Sequence, residues 1–244
     1  MFIRVLVNGA AGRMGRITVN AVQQENTLKL VGETRRSDDL CKAIRISNAD
    51  VVVDFTDAAS VFENTKKIIA ANAHPIIGTS GLLSEQIKEL QQLCHEKQHG
   101  GIIAPNFCIA ALLMMRFSEQ AARYFPNVEI IEIHHEGKRD APSGTAIKTA
   151  ELIANARKIT PTLKKIHETL LGSRGAYKDQ VSIHALRLPG FLAQQEVIFG
   201  HLGGNLRITH ETIDRHAFMP GVILACQQVV ALKELIYGLD NLLV

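Results

Sequence analysis

Residues 129–146 read Glu-Ile-Ile-Glu-Ile-His-His-Glu-Gly-Lys-Arg-Asp-Ala-Pro-Ser-Gly-Thr-Ala, and the groups that move protons and hold anions crowd into the second half of that run. Histidine ionises near neutrality, so either His134 or His135 can give or take a proton during turnover. Lys138 adds a positive charge and a donor. Pro142 restrains the backbone before Ser143, and Ser143, Gly144 and Thr145 then open a helix whose first amides lack intrahelical partners. Such an entrance holds a carboxylate well. Adjacent histidines point in different directions, and neither an HExxH pattern nor a cysteine partner accompanies them, so no metal site is expected.

A second motif lies far from the first. Gly9-Ala10-Ala11-Gly12-Arg13-Met14-Gly15 follows an apolar run and precedes a helical pattern. Glycines there permit a tight turn and let amides approach a pyrophosphate, whose charge the helix N-terminus favours. The spacing is GxxGxxG, a departure from the commoner GxGxxG, and the strand-turn-helix context is what makes it a dinucleotide site. The next strand ends at Glu33-Thr34-Arg35-Arg36, where an acidic residue would suit the NAD ribose and arginines accept the extra phosphate of NADP. The cofactor is therefore expected to be NADPH and/or NADH, with NADPH favoured. Asp54-Phe55-Thr56 and Gly78-Thr79-Ser80-Gly81 end later strands on the same edge and are expected near the nicotinamide ribose. Ala104-Pro105-Asn106-Phe107 is the expected crossing between domains.

The elements that must position these groups follow from apolar rhythm. Up to about Ala104, short runs at Ile3 to Val7, Leu28 to Val31, Val51 to Phe55, Pro75 to Ile77 and Gly101 to Ala104 alternate with amphipathic stretches. That pattern predicts a parallel sheet with crossover helices. Met14, Ile17, Thr18, Ala21 and Val22 form the expected buried face of the first helix. Beyond Phe107 come a long apolar helix near Ile109 to Tyr124, the strand into the His-His loop and a helix near Thr145 to Arg157. Strands at Val181 to Leu188, Glu196 to Phe199 and Leu206 to Ile213 then predict a separate mixed sheet. The last thirty or so residues are expected to be helical, with Val222, Ile223, Cys226, Val229 and Val230 as the apolar stripe.

Composition narrows the function classes. The 244 residues, 46% of them hydrophobic, suffice for one large domain or two small ones with a real core. A formal charge of +3 is too small, and the basic residues too dispersed, for nucleic-acid binding. No apolar run approaches membrane-spanning length. Cys41, Cys94, Cys108 and Cys226 lack CxxC spacing, so reduced thiols and a cytoplasmic location are expected.

The stretch Glu129 to Ala146 resembles the signature of the 4-hydroxy-tetrahydrodipicolinate reductase (dihydrodipicolinate reductase) family of the diaminopimelate route to lysine. The likeness continues through the glycine loop, Asp54-Phe55-Thr56, Gly78-Thr79-Ser80, Ala104 to Phe107, Arg187-Leu188-Pro189-Gly190, Glu196 to Gly200, Ile208-Thr209-His210 and Phe218 to Val222. The resemblance implies an α/β chain: a Rossmann-like dinucleotide-binding domain, residues 1–107 and 216–244, plus an α+β mixed-sheet domain, residues 108–215, for substrate binding and oligomerisation. It implies a homotetramer acting on a small cyclic imine dicarboxylate. By the same resemblance His134 is the proton donor or acceptor and Lys138 a proton donor that also contacts substrate. His135, Gly144 and Thr145, with Ser143 at the same entrance, hold the substrate carboxylates. Gly9, Ala10, Ala11, Gly12, Arg13 and Met14 line the cofactor, as do Gly78, Thr79, Ser80, Ala104, Pro105, Asn106 and Phe107. The chain departs from the family where many members carry an acidic residue followed by Arg: here Arg35 and Arg36 stand together.

A reductase of this design is expected to close about hinges near Asn106 to Cys108 and near His216. Two rivals make different predictions. A thiol enzyme would use Cys108 as nucleophile, and a nicotinamide-sensing binding protein would bind cofactor without turnover.

Overall fold

The short apolar runs of the first hundred residues become strands of one sheet, separated by helices. The computed structural model describes residues 2–159, 161 and 166–243. In chain order the elements are β1 (Ile3–Asn8), α1 (Arg13–Gln24), β2 (Leu28–Thr34), α2 (Leu40–Ser47), β3 (Val51–Asp54), α3 (Val61–Ala70), β4 (His74–Ile77), α4 (Ser84–Glu96) and β5 (Gly101–Ile103). Val51, Val52 and Val53 are fully buried, as strands covered by helices on both faces require. A second group follows: α5 (Ile109–Ala122), β6 (Asn127–His134), α6 (Gly144–Ala156), β7 (Ala176–Lys178), β8 (Val181–Arg187), β9 (Ala193–His201) and β10 (Gly204–Thr212). The chain ends with α7 (Met219–Gln228) and β11 (Leu235–Tyr237).

Two compact units result, one of residues 1–109 and 215–244, the other of residues 110–214. The first holds a parallel sheet in the order β11-β5-β4-β3-β1-β2. Strand order reverses at β1, so the crevice beyond the ends of β1 and β3 is the switch point where open α/β sheets bind ligands. The second holds a mixed sheet, β10-β9-β6-β8-β7, in which β6 and β8 run parallel through a crossover containing α6 and the other pairs are antiparallel.

Three expectations need correction. The C-terminal stretch is not helical throughout: β11 joins the parallel sheet beside β5, with Leu235 paired to Gly101. Val222, Cys226 and Val229 are buried as expected, but Val230 is exposed, because the helix has given way to a 3-10 turn by then. The buried face of α1 is Gly15, Thr18, Val19 and Val22, a rotation away from Ile17 that brings the glycine against the strand turn. The second unit also contains β7, a three-residue strand that no periodicity announced.

In the first unit His74 and His99 stack with ring centroids 3.8 Å apart, and His74 Nδ1 meets the Gly100 carbonyl at 2.9 Å. Burial pushes both rings below the ordinary histidine value of 6.5, and the His74 ring and Lys97 lower His99 further while Asp50 opposes the shift at His74. The unfolded chain therefore binds more protons, and stability falls as pH drops through about 6.5, levelling off below the folded-state values. Urea unfolding across this range should give a weaker pH dependence for His99→Gln. An unchanged slope would show that the stacked pair is not its source.

Candidate active site

Two groups of functional residues emerge, one in each unit. In the first, β1 delivers the chain into Gly9, whose φ of +81° belongs to the left-handed region that favours glycine. A Cβ at Gly9 would collide with the Phe55 carbonyl, and one at Gly15 with the Gly9 carbonyl. Helix α1 begins at Arg13 with no side-chain cap and no acidic residue in its first turn, which leaves its first amides for an anion.

The loop does not offer every amide. Gly9 and Ala10 donate to the Thr34 carbonyl at 3.0 and 3.1 Å, and Gly12 donates to Gly9. Ala10 is buried besides, so its part is to tie the loop to β2. A cavity of about 850 Å³ beside the loop is lined by Gly9, Ala11, Gly12, Arg35, Arg36 and, unexpectedly, Lys67 of α3, among others. Asp38, Asp39 and Asp57 line it too, so the lining is mixed in charge. The open helix end, the close-packed glycines and the three cations fit a dinucleotide phosphate.

A buried carboxylate organises the strand ends behind this cavity. Asp54 is fully buried, so its side chain serves the turn from within. It accepts from Asn8 Nδ2 at 2.7 Å, Thr56 Oγ1 at 2.7 Å, Thr79 Oγ1 at 2.8 Å and Asn64 Nδ2 at 3.2 Å. Asn8 in turn accepts from Thr34 Oγ1 at 2.8 Å. Thr79 thereby belongs to the scaffold of the turn, with Gly78 packed so closely on the Phe55 ring that a side chain would collide. Ser80 and Pro105 are exposed, and Asn106 Oδ1 accepts from the Cys108 amide at 2.8 Å. Ala104 and Phe107 are buried, which leaves backbone rather than side chain for a ligand there. Cys108 is buried too, with 2% of its surface exposed, and so offers no accessible nucleophile for the thiol rival.

The second group sits where β6 runs into α6. Val128, Ile130 and Glu132 share the buried face of β6, so a carboxylate occupies a core position. A charge there requires partners. His134 Nδ1 meets Glu132 Oε2 at 2.5 Å, Arg187 bonds both oxygens at 2.9 Å, and the Ser143 amide donates to Oε1 at 3.1 Å. Burial pushes the Glu132 carboxyl up, but the hydrogen bonds and charges of His134 and Arg187 outweigh it and hold the carboxyl below its ordinary value. Arg187 reaches this point because parallel pairing of β6 with β8 sets it beside His134.

The loop between is fixed by the same arginine, which donates to the carbonyls of Lys138 at 3.3 Å and Asp140 at 2.7 Å. Lys138 Nζ is paired with Asp140, at 2.8 and 2.7 Å to its two oxygens, rather than unopposed. His135 is exposed. Ser143 is buried and its hydroxyl accepts from the Ala146 amide at 3.2 Å as the cap of α6, so the direct hydroxyl contact expected of it is committed elsewhere. Gly144 and Thr145 follow as the first helical residues, with more of their surface in contact with solvent. The sequence reading missed Glu132 and Lys67, and gave Arg187 no role. The signal for Glu132 was available: it is in phase with Val128 and Ile130.

A parallel sheet with a glycine turn at its switch point, joined in the chain to a mixed-sheet unit with two histidines and a lysine before a helix entrance, is the plan of a nucleotide-binding, Rossmann-type oxidoreductase. Residues 3–107 match the family described as dihydrodipicolinate reductase, N-terminus, and residues 110–243 match dihydrodipicolinate reductase, C-terminus. The chain belongs to the dihydrodipicolinate reductase family. It is 51% identical over 243 residues to a protein of Legionella pneumophila (strain Corby) named 4-hydroxy-tetrahydrodipicolinate reductase, with 100% of each chain covered. A protein of the same name from Coxiella burnetii (strain Dugway 5J108-111) is 48% identical, again over 100% of both. Among solved structures, the dipicolinate-bound dihydrodipicolinate reductase from Paenisporosarcina sp. TG-14 matches with a TM-score of 0.92 at 40% identity, covering 100% of both chains. Among the described residues no helix is long and apolar enough to cross a membrane.

Proposed function

We propose that the chain reduces 4-hydroxy-tetrahydrodipicolinate to tetrahydrodipicolinate with NAD(P)H, in the diaminopimelate route to lysine. The observation that carries this reading is the β6-to-α6 loop, which sets His134, Lys138 and an open helix entrance in one short segment fixed by Glu132 and Arg187. Overall the hydroxyl is replaced by hydrogen: one proton is consumed and one water leaves. Loss of water from the substrate would leave a carbon conjugated with the imine, and the nicotinamide, when bound, would supply hydride to that carbon.

This chain's residues answer the rest of the chemistry. The amides of Gly144 and Thr145 seat one substrate carboxylate, and His135 contacts the same molecule. Lys138 offsets the developing negative charge, exchanging Asp140 for a substrate group when the site fills. His134 delivers the proton. In the first unit Arg13, Met14 and Ala11 hold the pyrophosphate by their amides, with Gly78, Ser80, Pro105 and Asn106 nearer the nicotinamide. The working enzyme is a cytoplasmic homotetramer on this reading.

Arg35 and Arg36 carry the cofactor preference. A 2′-phosphate needs cations where NAD presents only a hydroxyl, and both arginines line the cavity next to the glycine loop. Arg36→Ala should therefore weaken NADPH binding more than NADH binding, as read by fluorescence titration of each. Equal losses would contradict the phosphate assignment. The function itself is tested by following oxidation of NADPH and NADH with the product of the preceding synthase, in the native chain and in Lys138→Ala. The native chain should consume NADPH only when that product is present, and Lys138→Ala should do so much more slowly. Cofactor binding without substrate-dependent oxidation would favour the sensor rival.

A further inference from the structure

Glu132 has the bonding of a working part rather than of a core residue. Its two carboxylate oxygens receive four donors: His134 Nδ1 and Arg187 Nη1 on one, the Ser143 amide and Arg187 Nη2 on the other. An ionised carboxylate has about four acceptor sites and no donor, so this set leaves none for a proton of its own. Arg187 is matched in the same way. Its Nε–H goes to the Lys138 carbonyl, and its four Nη hydrogens go to the two Glu132 oxygens and the carbonyls of Leu186 and Asp140.

We infer that Glu132 is the positioning residue of the reaction. It fixes His134 with hydrogen on Nδ1, so that Nε2 is the nitrogen that exchanges a proton with substrate, and it joins His134 to the helix entrance through the Ser143 amide. The inference rests on the reading of His134 as the proton-transfer group. Three effects combine. A carboxylate that only accepts forces the hydrogen onto Nδ1 of its histidine partner. Its negative charge then steadies the imidazolium that must exist before donation, and Arg187 keeps the carboxylate from taking the proton back. Because Ser143 caps α6 through its hydroxyl while its amide binds Glu132, the distance from proton donor to carboxylate seat is fixed by one side chain.

The test combines a cycle of variants with spectroscopy of the native chain. Glu132→Gln should lower kcat about 10- to 1,000-fold, within the usual span for losing a well-placed acid, with NADPH affinity unchanged. In a His134→Ala background the same substitution should cost clearly less than in the native chain, because the part of its effect that acts through His134 is already lost. An equal loss in both backgrounds would overturn the inference and leave Glu132 a structural residue. Near-normal turnover in His134→Ala alone would instead remove the underlying reading. Nitrogen NMR of the native chain needs no variant that folds: neutral His134 should carry its hydrogen on Nδ1, and an Nε2–H form would overturn the inference.

Discussion

His134→Ala is expected to lower turnover roughly 10- to 10,000-fold while leaving the dissociation constant for NADPH nearly unchanged, the pattern of a lost general acid. The reasoning is local. Only 16% of the His134 side chain is exposed, one ring nitrogen is committed to Glu132, and the residue ends β6 beside the loop that holds Lys138. The glycine loop proposed to hold the cofactor belongs to the other compact unit, so NADPH affinity has no reason to follow. Single-turnover kinetics with NADPH bound in advance separate the two effects. Near-normal turnover would take His134 out of the reaction.

Glu132→Ala is expected to cost about 3–5 kcal/mol of stability, the usual result of removing one member of a buried ion pair. The carboxylate is fully buried, and 19% of the Arg187 side chain is exposed, so alanine would strand a desolvated guanidinium as well as the Ser143 amide. Against a total of about 5–15 kcal/mol, such a loss is large. The pH dependence gives an independent sign. Glu132 has its folded pKa held below the ordinary 4.5, so its contribution is present above that value and disappears as pH falls through the folded pKa. Denaturant unfolding of Glu132→Ala should therefore show a deficit at neutral pH that narrows toward acid. The exposed neighbour Glu136, replaced by alanine, should change stability by less than about 0.5 kcal/mol. A loss below about 1 kcal/mol in Glu132→Ala would mean the pair contributes little to folding.

The parallel sheet was legible because its strands are nearly pure apolar runs, Val51 to Val53 being the clearest, and because Gly9 to Gly15 sits where strand passes into helix. Short edge elements were not. Leu235-Ile236-Tyr237 and Ala176-Tyr177-Lys178 are three residues each, too brief for a period to declare itself, and only pairing with β5 or β8 makes them strands. The candidate loop of His134, His135 and Lys138 stands out by composition alone, whereas its support does not. Arg187 lies 55 residues beyond Glu132 and meets it through a strand register that sequence does not announce. The commitment of the Ala10 amide to Thr34 depends in the same way on how β1 lies beside β2. Lys67 joins the arginine-lined cavity because α3 brings it there.

In the proposed reaction hydride passes from the nicotinamide to a cyclic imine dicarboxylate, and the His134 loop supplies the proton. The most direct test is isotope transfer: the chain is incubated with NADPH carrying deuterium at both C4 positions and with the product of the preceding synthase, and the reduced dicarboxylate is analysed by mass spectrometry. Tetrahydrodipicolinate carrying one carbon-bound deuterium per molecule is expected, formed much more slowly by His134→Ala. Reduced product without deuterium, or no reduced product while NADPH still binds, would contradict that reaction.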